Sequence, residues 1–339
     1  MMVMNMAVTI KIPNTDNYGT IDETHRLYLN QKLLSTLPIG DPILEYVSTR
    51  YVSSKDLDGF FAVYNLNEWL QYNCKLDEND INFLNLKLRN VLKGIGAASF
   101  EEMADKVQFA GNICRNVDGK IHGVNLRILP YASKNSNEIT DYVRVFLSFF
   151  YNKNIDAFEI WYDTFSGNQK DPELDGQTLN AWRNHYSLIP LREYTWNSTH
   201  KTPLDLNETV FVTEGIYDSL FLENSICAGG MVSTLVIPEK LKKKKLLFII
   251  DNQYSSGIYK TVSSLIKMGY DVLKWPDDSR TFKDFNEYAD FLYNFSNKTI
   301  TNDEFINDVK SNIRKLVYSE ENIFKGGDIE SYDKWFFNR

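Results

Sequence analysis

The chain has 339 residues, 43% of them hydrophobic and 14% aromatic, with 45 Asp and Glu against 37 Lys and Arg for a net charge of −8. That is enough apolar material for one large core or two to three smaller ones, and the acidic balance excludes a simple basic nucleic-acid coat while leaving room for a local basic groove or a metal-assisted phosphate site. No apolar run approaches the ~20 residues of a membrane span, and the opening "MMVMNMAVTIKI" lacks a basic n-region and a cleavage site, so a soluble cytoplasmic protein with no membrane partner is expected.

Residues 1–22 read as an extended arm, followed by an amphipathic helix over 22–37 capped by Asp22. A second helix is predicted over 40–50, with Asp41 as cap and Pro42 at its first position. "DGFFAVYN" (58–65) is a strand candidate, and "NEWLQYN" and 77–94 are helical, with Gly94 as a stop. After about residue 105 the pattern turns to strands: two around the tight-turn signal Asp118-Gly119, then 141–150 and 157–165, which together predict a mainly antiparallel sheet. From about 206 strands alternate with helices: "ETVFVT", "GIYDSLFLEN", "SICAGG", "KKLLFIID", "SSGIYKTVSSLIKMG", "YDVLKW" and "FKDFNEYADFLYN". Such alternation predicts a compact, mostly parallel α/β unit. A last helix spans 301–318, and the tail after it reads as aromatic and irregular.

The three cysteines, Cys74, Cys114 and Cys227, form no CxxC pair, and the four histidines show no metal spacing, so no zinc is expected and the thiols are read as reduced. Carboxylates are more informative. "VFVT" runs into Glu214 and "LLFII" into Asp251. In an open parallel sheet, ligands bind in the crevice at the C-terminal strand ends. If the two strands are neighbours, Glu214 and Asp251 converge and repel, and a hard cation such as Mg²⁺ would relieve the conflict. The plainer alternatives stay open: Glu214 as a helix cap, Asp251 as ordinary turn chemistry in "DNQYSSG", and Asp218 as a favourable charge at a helix N-terminus.

The segments "VTEGIYDSL", "FIID" and "FKDFNEY", in that order over about 206–291, resemble the TOPRIM domain of DnaG-type primases and topoisomerases, whose signature is a strand-end Glu-Gly and a later strand-end Asp-x-Asp. The resemblance is nearest to the primases of T-even bacteriophages. It is carried by Glu214-Gly215, Asp218-Ser219-Leu220-Phe221, Glu223-Asn224, Gly229-Gly230, Asp251-Asn252, and Lys283-Asp284 with Asn286. Two weaker stretches, "DPILEYVSTRYVSSKDL" and "NVDGKIHGVNLRIL", extend it. The resemblance implies Mg²⁺ or Mn²⁺ held by Glu214, Asp251 and Asp284, with Asp218 beside them in the catalytic set. It also implies nucleotide or template contacts from Arg127 and Lys283. Two departures stand out: there is no N-terminal zinc ribbon, and the second acid of Asp-x-Asp is Gln253.

Lys120, Arg127, Lys134 and Arg144 fall in the middle sheet, where a shared face would make a template groove. The run "EKLKKKKLL" (239–247) enters a strand at the edge opposite the carboxylates, and Trp182, Arg183, His185 and Tyr186 are candidates for stacking on single-stranded bases. The expected organisation is an arm and helix (1–38), an α+β primase-type subdomain with an antiparallel sheet (39–205), a TOPRIM-type α/β domain (206–295) and a helical tail (296–339). The expected activity is synthesis of RNA primers on single-stranded DNA from ribonucleoside triphosphates during viral replication, in the host cytoplasm. A replicative helicase and a separate zinc-binding protein are the implied partners. A TOPRIM metal-dependent nuclease and a non-catalytic scaffold are the alternatives.

Overall fold

The computed structural model describes residues 15–25, 32–78, 80, 81, 84, 108–129, 146–161, 194–229, 236–276, 282–294 and 303–338. Residues 1–14, the helix expected beyond residue 84, Lys134, Arg144 and the aromatic stretch 182–186 lie outside them. In chain order the elements are β1 (Lys32–Leu33), α1 (Pro42–Ser48), β2 (Phe60–Val63), α2 (Leu66–Asn73), β3 (Phe109–Arg115), β4 (Ile121–Ile128), β5 (Phe146–Asn152), β6 (Ala157–Trp161), β7 (Val210–Thr213), α3 (Ile216–Ser219), β8 (Ser225–Cys227), β9 (Leu246–Ile249), α4 (Ser256–Lys267), β10 (Asp271–Leu273), α5 (Phe285–Asn294), α6 (Asp303–Tyr318), β11 (Ile323–Phe324) and α7 (Ile329–Asn338). The class is mixed α and β, with one sheet ordered β1-β2-β3-β4-β5-β6 and a second ordered β11-β10-β9-β7-β8.

Two compact units contain these elements. One comprises the described residues of Met1–Lys32, Phe61–Asn112 and His122–Leu191. Here β4, β5 and β6 pair antiparallel, with Gly123 opposite Phe150 and Phe149 opposite Ile160. Helix α2, capped by the Asn65 side chain on the Glu68 N–H, lays Trp69 edge-on against Phe149 and stacks it on Phe158.

The other unit comprises the described residues of Leu33–Phe60, Ile113–Ile121 and Arg192–Arg339. Its sheet is parallel from β10 through β9 and β7 to β8, with β11 antiparallel at the edge. Side chains alternate across it. Val210, Val212, Ile226, Leu246, Phe248 and Ile250 join α4 (Ile258, Val262, Leu265, Ile266) and α7 (Tyr332, Phe336) in one buried cluster. Phe211, Leu247, Ile249 and Leu273 join α5 (Phe285, Ala289) and α6 (Phe305, Ile306, Val309, Ile313, Val317) in another. Cover on both faces explains why these strands read as continuous apolar runs rather than alternating ones.

Three local expectations need correction. The helix expected over 22–37 gives way, where described, to β1 and a 3-10 turn at Leu34–Thr36. There Ser35 Oγ bonds Asp58 and Thr36 Oγ1 bonds the Leu33 carbonyl, so these side chains compete with helical bonding. Helix α3 stops after one turn, because Ser225 Oγ bonds the Ser219 and Leu222 carbonyls at 2.6 and 2.7 Å and fixes a turn instead. The tail is not irregular: β11 joins the sheet, and α7 starts where Asp328 receives the Ser331 N–H at 3.1 Å.

Candidate active site at the parallel strand ends

Strands β7 and β9 are neighbours, parallel and in register, with Thr213 opposite Ile249. Glu214 follows the first strand directly, and Asp251 lies two residues past the end of the second. The two therefore meet: Glu214 Oε1 accepts the Asp251 backbone N–H at 3.0 Å. Thr213 Oγ1 bonds the Gly215 carbonyl at 2.9 Å, and the Trp275 indole N–H bonds the Ile250 carbonyl at 2.8 Å, so both strand exits are fixed by donors behind them.

A second layer comes from the segment before α5. Asn252 binds it twice, through its backbone N–H to the Lys283 carbonyl at 2.6 Å and through Nδ2 to the Phe282 carbonyl at 3.0 Å. The Lys283 N–H donates to Glu287 Oε2 at 2.6 Å. With its backbone held on both sides, Lys283 directs Nζ to 2.8 Å from Asp251 Oδ2 and 4.0 Å from Asp284 Oδ2. Asp284 Oδ1 caps α5 by accepting the Glu287 N–H at 2.9 Å. Asn286 Nδ2 reaches back to Asp218 Oδ1 at 3.0 Å. Gly215 makes room for that carboxylate, since a Cβ there would sit 2.9 Å from Asp218 Oδ2.

The electrostatics reflect crowded acids away from water. Burial, and next the Asp251 charge, push Glu214 up to about 8. Burial, and next the charges of Asp284 and Asp251, push Asp218 up to about 7. Asp251 is also raised, by burial first, against the pull of its hydrogen bond to Lys283. Burial works to lower Lys283, but bonding to Asp251 outweighs it and leaves the ammonium above its ordinary value. This is a site short of positive charge, despite one lysine.

Glu214, Asp251, Asp218, Asp284 and Lys283 thus lie in one bonded and electrostatically linked network. Lys120 is exposed in the β3–β4 turn and has no bond to that network among the described residues. Arg127 is on β4, opposite Phe146, in the other unit. Arg144 is outside the described residues. Asn252, Asn286 and Glu287 supply connections that the site assignment from sequence left out, although the spacing Asp284-x-x-Glu287 is a helix-start signal.

Among the described residues no three His, Cys, Asp or Glu side chains are arranged as a complete metal-ligand set. The donor chemistry still fits a hard divalent ion of the kind that takes one or two carboxylates and completes its shell with water and substrate phosphate. Glu214 has a second oxygen with no partner among the described residues, and the buried Asn286 Oδ1 is likewise unbonded.

No family model matches the sequence, and no curated protein matches it. A solved structure, the zinc-binding and RNA polymerase domains of the Aquifex aeolicus primase, is similar with a TM-score of 0.32 and 14% identity over 81% of this chain. This chain spans about half, 54%, of that one. At that level the likeness carries no argument about chemistry.

Proposed function

We propose that this protein is a divalent-metal-dependent nucleotidyltransferase of the TOPRIM primase type, making short RNA on a single-stranded DNA template. The observation that carries the reading is the meeting of Glu214 and Asp251 at the ends of adjacent parallel strands, with Lys283 bonded to Asp251. Glu214 and Asp251 would hold the ion, with Asp284 beside them. When bound, the ion supplies charge stabilisation to the attacking and leaving oxygens of phosphoryl transfer. The chain's own residues do the rest. Asp218, with a pKa pushed up to about 7, sits near the working pH of a proton acceptor. Lys283 can exchange its bond with Asp251 for a triphosphate oxygen, which ties nucleotide arrival to release of the Asp251 carboxylate. Arg127 and Arg144 are proposed as further nucleotide or template contacts. A replicative helicase and a separate zinc-binding protein remain the proposed partners.

The test is incubation with single-stranded DNA, labelled ribonucleotides and Mg²⁺ or Mn²⁺, with and without helicase. New short RNA that falls below about 1% of wild type in Glu214→Gln and Asp251→Asn supports the proposal. Shortened DNA in place of RNA would assign a nuclease instead. A chain with no product under any metal leaves only the scaffold reading.

A further inference from the structure

The lysine run at Lys240 and 242–245 takes no part in the carboxylate network. Residues Leu241 to Lys244 form a turn in which the Lys244 N–H bonds the Leu241 carbonyl at 3.1 Å. Lys242 has φ −58° and ψ 138°, and Lys243 has φ 63°. That is a type II turn with Lys243 at the position that ordinarily takes Gly or Asn. The chain thus holds a long cationic side chain where a glycine would be unstrained, and such exceptions gather at functional places.

The turn is part of a wider basic surface within one unit. Lys240 Nζ is bonded to the Asp118 carboxylate, in the turn that carries Lys120. The neighbouring Gly119, at φ 72°, packs so tightly on the Lys201 carbonyl that a Cβ there would lie 2.5 Å from it. Lys201 pairs with Asp58 at 3.4 Å, and Lys242 pairs with Glu239 at 2.6 Å. Asp58, Asp118 and Glu239 are each bonded to one of its lysines, while Asp205 and Glu208, on the segment that pairs with Val117 and Lys245, are exposed. Lys120, Lys243, Lys244 and Lys245 remain exposed and in no ion pair among the described residues. In a protein of net charge −8, this is a local concentration of cations aimed at solvent.

We propose that this surface grips the sugar–phosphate backbone of a single-stranded nucleic acid, at the entry end of β9 and about 20 Å along that strand from Asp251. Choosing a nucleic acid over an acidic protein rests on the proposed function. The test is fluorescence anisotropy of the full chain with a labelled single-stranded DNA of about thirty nucleotides, longer than a ~4–16-nucleotide single-fold footprint. It is run without divalent metal or nucleotide, across a salt series. The variant Lys120→Gln/Lys243→Gly/Lys244→Gln/Lys245→Gln is expected to bind about ten-fold more weakly and to lose about 0.7 of log–log salt slope per contact removed. Lys243→Gly alone is expected to keep or raise Tm while weakening binding, so loss of folding cannot mimic the result. Wild-type affinity and slope in the quadruple variant would overturn the proposal, as would binding of an acidic peptide at these lysines with DNA binding untouched. A chain that binds DNA through them but makes no RNA would sink the proposed function alone.

Discussion

In the metal-free chain, burial and neighbouring charges raise Glu214 and Asp218 so that they shed their protons near or just above neutral pH rather than in the acid range. Their pKa values, pushed up to about 8 and about 7, stand well above the unfolded range near 4. Between those limits the two acids bind more protons in the folded chain than in the unfolded one. Buried His122 and partly buried His200, both held below the ordinary histidine value by burial, work the other way up to about pH 6.5, so the decline in stability from the two acids is unopposed from about 6.5 to about 8. Metal-free protein should show a Tm that declines through this window in calorimetry, and Glu214→Gln should flatten the decline. A Tm that climbs instead would contradict the buried-acid reading. Added Mg²⁺ should stabilise more at the alkaline end, since an ion competes there with fewer protons. Gln253 belongs to the same scale. It is exposed, and its N–H bonds the Asp251 carbonyl at 2.8 Å, so its backbone takes part in the strand exit while its side chain faces solvent. At Lys243, the left-handed backbone costs about 1–2 kcal/mol.

Among elements, α5 carries the most ambiguous residue. Asp284 is both the helix cap and a neighbour of Lys283. Asn caps as well as Asp, and Ala does not, so two substitutions separate the roles. Asp284→Asn should keep stability within a few tenths of a kcal/mol, while Asp284→Ala should lose about 1 kcal/mol in denaturant titration. RNA synthesis lost in both assigns the charge a role, whereas synthesis kept in Asn and lowered only in Ala makes Asp284 a cap alone. The helix itself was legible in the sequence, though read as starting at Phe282 rather than after the Asp284 cap, and so were β7 and β9, because strands buried on both faces leave unbroken apolar runs. The early stop of α3 was not legible. It depends on Ser225, six residues past Ser219, folding back onto its carbonyl. The convergence of Glu214 with Asp251 was legible only as a condition, since strand adjacency is a tertiary fact. The place of Lys283 was named, but the clamp of Asn252 and Glu287 that aims it was not.

For the whole molecule, the unit that holds the carboxylates is not one stretch of chain. Residues 33–60 join it through long-range bonds: Tyr51 to Asp290 at 2.6 Å, Ser54 to Asp303 at 2.5 Å, and Lys310 to Asp56 at 2.9 Å. The last pair is nearly dry, with side chains 8% and 11% exposed. Removing its cation leaves a buried carboxylate uncompensated, so Lys310→Met should destabilise by about 3–5 kcal/mol in chemical unfolding, and Lys310→Met/Asp56→Leu should recover much of it. Loss of less than about 1 kcal/mol in the single variant would show that water reaches Asp56. Nothing local in "SSKDLDG" announces a partner some 250 positions away, which is why this part of the architecture was not readable in advance.

Gly326 meets Gly269 backbone to backbone, where a Cβ would come within 2.1 Å of the Gly269 carbonyl oxygen. Just beyond that contact, α7 begins, and its Phe336 stacks on Tyr254 at 4.5 Å, three residues from Asp251. The glycine pair therefore lets the chain turn closely into a helix whose far end packs beside the loop that follows β9. A single methyl group at position 326 would have to displace the backbone of Gly269 and Tyr270 at the root of that helix.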